Sequence, residues 1–230
     1  MKLSGPIDLI KKSFQIFFEK RNTVYFLKIY SPFILFEFLF FLQRYFVSSQ
    51  SKALNIGDPN FLAAKYPLFL VFIIVLNLLY VFALTWVGAA GIRAVSNVLS
   101  DRELNVRETF EFAWKKLWAF FLVSVLATLA AFGGALLLIV PGIVFGTWFA
   151  FSKFINIDRG VGVRESLSES RNLVRGKFWA VFGRLLVFGL FTSLIDFVGV
   201  GIPYIGTAIA SLLGVFFILP YFLLYRELSG

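Results

Sequence analysis

The chain contains no cysteine and no histidine. Without thiols there is no disulfide framework and no thiolate nucleophile. Without imidazoles the usual acid–base catalyst of neutral pH is missing, and Cys/His metal sites go with both. An all-carboxylate metal site is all that the donor set leaves open. Charge is scarce as well: Asp, Glu, Lys and Arg make up 15% of the 230 residues, against about 25% in ordinary soluble chains. No uninterrupted apolar stretch occupies the N-terminal segment, where Lys2, Pro6, Asp8, Lys11 and Lys12 intervene, so no secretory leader is expected there.

Apolar residues, by contrast, reach 59%, among them 31 phenylalanines; a soluble chain has roughly 45–50%. One core cannot hide so much apolar surface, and the excess must face lipid. A bilayer core of about 30 Å takes roughly 20 apolar residues per helix. Runs of this kind lie at about 24–47, 66–92, 117–138, 142–157, 178–198 and 204–225. They predict an all-α, polytopic membrane protein of about six transmembrane helices in a single domain. Ile139-Val140-Pro141-Gly142 separates the third and fourth runs with a proline–glycine turn signal. Three arrangements of 117–157 are open: two spans, a re-entrant hairpin, or one long kinked helix.

Charge gives the orientation. All 22 basic residues except Arg44, Lys52 and Lys65 fall on one side of a six-span chain. Basic residues in short loops stay cytoplasmic, so both termini are expected inside the cell. The formal charge of +9 is a topology signal first and an attraction for anionic headgroups second. Nucleic acid is not an expected partner.

Residues 105–117 put Val106, Phe110, Ala113, Trp114 and Leu117 on one stripe, opposite Arg107, Glu108, Glu111 and Lys115. Asn105 with Glu108 forms a capping pair. The expectation is an interfacial helix in the headgroup plane that then turns into the third span. The design recurs. Val106-Arg107-Glu108-Thr109 matches Val163-Arg164-Glu165-Ser166. Lys116-Leu117-Trp118-Ala119-Phe120-Phe121 then matches Lys177-Phe178-Trp179-Ala180-Val181-Phe182, after four extra residues in the second copy. Ile7, Ile10, Phe14 and Phe17 make a looser third stripe beside Lys11 and Lys12. On this reading the approximate repeats 5–92, 102–157 and 160–226 are each an interfacial helix followed by a transmembrane hairpin. Convergence of basic and aromatic composition at the interface is the other reading. The lipid-facing residues expected on these helices are Lys11, Lys12, Arg107, Trp114, Lys115, Lys116, Arg164, Arg171, Arg175, Lys177 and Trp179.

Leu136-Leu137-Leu138-Ile139-Val140-Pro141-Gly142-Ile143-Val144 precedes a span, and Ser166-Leu167-Ser168-Glu169-Ser170-Arg171-Asn172-Leu173-Val174-Arg175-Gly176-Lys177-Phe178-Trp179 follows it. This pattern resembles the membrane domain attached to some bacterial glycerophosphoryl diester phosphodiesterases, and related stand-alone bacterial membrane proteins of unknown function. Their shared pattern is an apolar run ending in Ile-Pro-Gly, a span, then an Ala-Leu-x-x-Ser-x-x-Leu-Val-x-Gly-x-x-Trp-like cytoplasmic helix. Here Val140 replaces the isoleucine and Ser166 the alanine. The resemblance is clear over 136–183 and looser elsewhere. It implies a six-helix domain of the bacterial inner membrane. It does not imply the phosphodiesterase, whose chemistry belongs to a separate soluble domain with histidines and metal-binding carboxylates.

Ionisable residues at membrane depth are functional candidates. Glu37 lies roughly 20 Å into the first run at 1.5 Å per residue, and Asn77 sits at similar depth in the second. Two readings are open: a hydrogen bond that glues neighbouring helices, or a proton or cation site. Asp196 and Arg44 are an expected ion pair at the outer rim. Gly88, Gly91, Gly133 and Gly134 mark tight helix crossings or hinges around a cavity. No residue set offers a nucleophile–base pair or a metal cluster at mechanistic spacing, so neither catalysis nor a cofactor is expected. The expected role is a membrane scaffold, accessory or membrane-organising domain. Its partners would be the bilayer, anionic headgroups at the cytoplasmic face, and another membrane or soluble protein. A transporter or channel for a small solute or lipid is the alternative.

Overall fold

Backbone polar groups in lipid must be satisfied within their own segment, so long apolar runs fold as helices. The computed structural model describes residues 3–53, 67–200 and 206–230, and every regular element among them is a helix. In chain order these are α1 (Pro6–Phe18), α2 (Lys20–Ala53), α3 (Pro67–Leu99), α4 (Val106–Leu137) and α5 (Ile139–Trp148). Then come α6 (Ser152–Asp158), α7 (Val163–Val174), α8 (Phe178–Val200) and α9 (Gly206–Ser229). Among the described residues, five stretches are long and apolar enough to cross a membrane: Lys20–Leu42, Val71–Leu99, Val106–Leu137, Ile139–Asp158 and Phe178–Ile195. This is the pattern of a membrane protein. The sixth expected run, 204–225, lies partly outside the described residues.

The interfacial helix expected over 105–117 is not a separate element. Its residues are the first turns of α4, which runs unbroken from Val106 to Leu137. Asn105 does cap it: its side-chain oxygen accepts from the Glu108 amide at 3.3 Å. The corresponding stretch of the second copy, α7, does end. There Gly176 takes φ +80°, the left-handed region that favours glycine, and α8 starts afresh at Phe178. α1 also ends, at Glu19 with extended backbone. Side chains from the first turn of α2 cover its orphan carbonyls, Asn22 on Ile16 at 3.0 Å and Thr23 on Phe17 at 2.5 Å. The three stretches share one feature. Each buries its fourth, eighth and twelfth residues: Leu9, Ser13 and Phe17; Thr109, Ala113 and Leu117; Ser166, Ser170 and Val174.

Residues 117–157 form a helical hairpin, not one kinked helix. The reversal is at Leu138, whose φ of −161° is extended. Pro141 and Gly142, expected as the turn itself, instead occupy the first turns of α5, where a proline is tolerated. Gly142 has a packing reason. A Cβ built on it would lie 2.8 Å from Ala135 Cα, and one on Gly134 would lie 3.0 Å from the Gly142 nitrogen. Gly146 faces Ala131, and Lys116 Nζ donates to the Gly160 carbonyl at 2.6 Å. Antiparallel pairing therefore runs from the turn to the base of the hairpin. The second arm breaks at Phe149–Phe151, and α7 supplies the missing partners: Ser170 accepts from the Phe151 amide at 3.2 Å and donates to the Trp148 carbonyl at 2.6 Å.

Burial is concentrated in one half of the bundle. Tyr25, Phe26 and Ile29 of α2, Ala89, Ala90 and Val95 of α3, Phe151, Ile155 and Ile157, and Leu219, Phe222 and Tyr225 of α9 belong to its core. Toward the hairpin tips the large apolar residues are exposed, Leu136 to Val140 without interruption, which is the surface expected against lipid. The glycines of α3 are contact points. Gly91 leaves room for Tyr30, and Gly88 sits against Phe120. Gly142→Leu is expected to lower stability by about 2 kcal/mol through overpacking, read as a lower Tm in detergent. Gly183→Leu, where a Cβ would meet nothing within 4 Å, is the control with unchanged Tm. Equal values for both would contradict the packing of the hairpin.

Candidate functional site

Polar side chains gather at the end of the bundle where α1, the starts of α2, α4 and α8, and the ends of α3, α6 and α9 meet. Asp158 is the centre. Its Oδ1 accepts from Ser96 Oγ at 2.5 Å and from the Arg226 guanidinium at 3.2 Å; its Oδ2 accepts from the Tyr225 hydroxyl at 3.2 Å. One carboxylate thus joins α3, α6 and α9 while only 11% exposed. Arg226 also donates to Ser100 Oγ at 2.8 Å. Arg159 donates to the Tyr225 hydroxyl at 3.2 Å and to Glu169 at 2.7 Å, tying in α7. Burial pulls the Arg159 guanidinium down, but Tyr225 and Glu169 outweigh it and hold the group above its ordinary pKa.

Two further junctions flank this one. Thr109 donates its hydroxyl proton to the Asn105 carbonyl at 2.8 Å, so at the 2.6 Å contact with Tyr25 the phenol is the donor. Asn97 donates to both oxygens at 3.3 Å. This set links α2, α3 and α4. On the other flank Glu227 accepts from the amide and the hydroxyl of Ser4. Arg184 then donates to the carbonyls of Ser4 and Leu3 at 2.8 and 2.9 Å. The N-terminal segment, α8 and α9 are joined there.

The predicted basic and aromatic residues take different places around these junctions. Lys11, Lys12, Lys115, Arg164 and Arg175 are exposed. Arg107 pairs with Glu111 on the surface at 2.8 Å. Arg171 lies over the Trp148 ring, 4.5 Å from its centroid. Trp179 is 78% exposed. Trp114 is exposed on one side and stacks edge-on against Phe82 and Trp86 on the other. Lys177 is half-buried. Lys116, half-buried, ties the hairpin through the Gly160 carbonyl. A cleft beside α4 brings Arg93, Arg102 and Lys115 to Glu103, Glu108 and Glu111, a balance with no preference for either sign.

Of the intramembrane candidates only Asn77 has a described side chain. Asn77 donates to the Ile73 carbonyl of its own helix at 2.8 Å. The side chains of Glu37, Arg44 and Asp196 lie outside the described residues. Among the described residues no group of three or more carboxylates assembles. What sequence reasoning missed is the Asp158 junction. Its signal is present: Asp158-Arg159 precedes Val163 by the interval at which Asp101-Arg102 precedes Val106. No family model, no curated protein and no solved structure matches this chain.

Asp158→Ala removes the shared acceptor and leaves Arg226 without its carboxylate. The expected loss is about 3 kcal/mol, measured as a fall in Tm in detergent. In a double-mutant cycle with Arg226→Ala the combined loss should be smaller than the sum. Additive losses would show that the two groups do not interact.

Proposed function

We propose that this chain is a non-catalytic membrane platform that collects anionic lipid at the cytoplasmic face and presents that face to a partner protein. The observation that carries the reading is the division of labour among charges at the polar end. Asp158, Glu169 and Glu227 are turned inward and engaged in the junctions. Lys11, Lys12, Lys115, Arg164, Arg171 and Arg175 stand outward. The carboxylates Asp8, Glu19, Asp101, Glu103, Glu108, Glu111 and Glu165 are exposed as well, but among the described residues exposed basic ones outnumber them. A net positive surface attracts anionic headgroups by about 1 kcal/mol per basic residue near it.

The common burial register of α1, α4 and α7 supports a three-part repeat, each unit leading into a hairpin. The antiparallel 116–160 pairing supports an even number of crossings there, and with it six spans. Orientation follows from the basic clusters, which the positive-inside rule assigns to the cytoplasm with both termini. The pattern over 136–183 supports kinship with the phosphodiesterase-linked membrane domains, and on that reading the membrane is the bacterial inner one. A transport reading has no supporting observation among the described residues, where Asn77 donates to the Ile73 carbonyl of its own helix.

Two experiments test this. With no native cysteine, single cysteines replacing Leu137 and Ser168 can be treated with an impermeant maleimide in intact cells. Labelling of the first alone is expected; labelling of the second would reverse the orientation. For lipid collection, tryptophan-to-dansyl energy transfer in nanodiscs is expected to be several-fold stronger with dansyl phosphatidylglycerol than with dansyl phosphatidylcholine. The difference should shrink as salt shortens the Debye length from about 10 Å at 0.1 M. Equal transfer to both lipids would sink the electrostatic part of the proposal.

A further inference from the structure

The flank between the α4–α5 hairpin and α8 is not closed. A cleft of about 470 Å³ lies between α5 and α8, with Tyr221 of α9 among its lining residues. Along α8 it extends from Phe182 to Ser193, about 16 Å at 1.5 Å per residue. That is half of the ~30 Å hydrocarbon core, the depth of one leaflet. A slot of this length fits one acyl chain and is too short for a molecule that crosses the membrane. Gly189 keeps it open: a Cβ there would meet nothing within 4 Å. Thr147 has given its hydroxyl to the Ile143 carbonyl.

At the end of this slot nearer the polar junctions stands a lone cation. Ala150 lines the cleft, and Lys153 lies three residues further along the chain toward Asp158, beyond the lining. Every other residue from Phe151 to Ile157 is buried, and Lys153 alone is exposed. The buried side of α6 packs inward, so the lysine occupies its lipid-facing side. Among the described residues no carboxylate or carbonyl pairs with it. Lys177, just before α8, adds a second positive charge at the same end.

We propose that this cleft is a specific site for one anionic phospholipid of the leaflet at the polar end. One acyl chain lies between α5 and α8, and the phosphate sits against Lys153. This deepens the platform reading, on which it rests for the sign of the lipid. It differs in stoichiometry: a defined molecule in a slot, not a population enriched around the base.

Native mass spectrometry of the full chain, purified in detergent with equal phosphatidylglycerol and phosphatidylcholine, tests it. The wild type is expected to retain one phosphatidylglycerol. Gly189→Leu and Ser193→Leu, which fill the slot from two positions, should each reduce that occupancy about tenfold, with helix content by circular dichroism unchanged. Lys153→Gln should keep a lipid but lose the preference for the anionic headgroup. Gly183→Leu, outside the cleft, should behave as the wild type. Undiminished occupancy in both filling variants would overturn the site. So would a dimer mass that disappears in Gly189→Leu with no lipid bound, which would assign the cleft to a second copy of the chain. Energy transfer to dansyl phosphatidylglycerol should be unaffected by Gly189→Leu. Its loss in the wild type would count against the platform, while its persistence without a retained lipid would count against the cleft alone.

Discussion

Asp158 is the acceptor on which three helix ends converge, and the rest of the bundle depends on its being satisfied. A carboxylate near the boundary of the apolar region is costly unless it is paired and hydrogen-bonded. Ser96, Tyr225 and Arg226 supply those bonds from α3 and α9. They can do so only if α3, α6 and α9 end at the same level. The junction therefore sets the helices' relative heights as well as their contacts. Van der Waals packing alone, which is what drives helix association in lipid, would leave that height poorly specified.

Satisfaction of polar groups explains the neighbouring irregularities as well. The break between α5 and α6 frees backbone groups that would be intolerable against lipid; Ser170 takes both the Phe151 amide and the Trp148 carbonyl. The elbow between α1 and α2 is covered by Asn22 and Thr23. In both cases the chain can bend because a short polar side chain from a packed neighbour replaces the lost helical bond. Ser13, Ala113 and Ser170, the middle residues of the three buried stripes, are all small and fully buried. Small size lets each stretch approach the bundle closely at the level where the junctions form.

Much of this was legible from the residues in order. Apolar run length marks the helices, since lipid permits little else, and Asn105 marks the start of α4 by a local bond. Pro141-Gly142 marks a reversal to within three residues, but the chain turns at Leu138 because proline is compatible with a helix's first turn while glycine is wanted for contact with Ala135. The Asp158 junction was not legible as a contact. It joins residues more than sixty apart, and nothing local distinguishes a serine at position 96 that will donate to it from one that will not. Lys116 shows the same limit: beside Lys115 it has the composition of a headgroup contact, and only the hairpin's pairing decides that it meets the Gly160 carbonyl. Continuity of α4 was misjudged for a related reason. The amphipathic stripe over 105–117 suggests a separate interfacial helix, but a stripe does not specify a break. α7 ends before Gly176, and the α4 segment has no such glycine.

The junctions also bear on what kind of motion the bundle allows. Alternating access works by rocking one part of a bundle against another around a fixed site. Here α3, α6 and α9 share partners at one end, so rocking there would open several hydrogen bonds together. Each is worth about 1 kcal/mol, and leaving a charged acceptor unpaired adds several more. A base tied in this way is poorly suited to moving a solute past a central gate by rocking. It is well suited to keeping a charged surface at a constant depth in the headgroup layer, which is the physical requirement of the proposed platform.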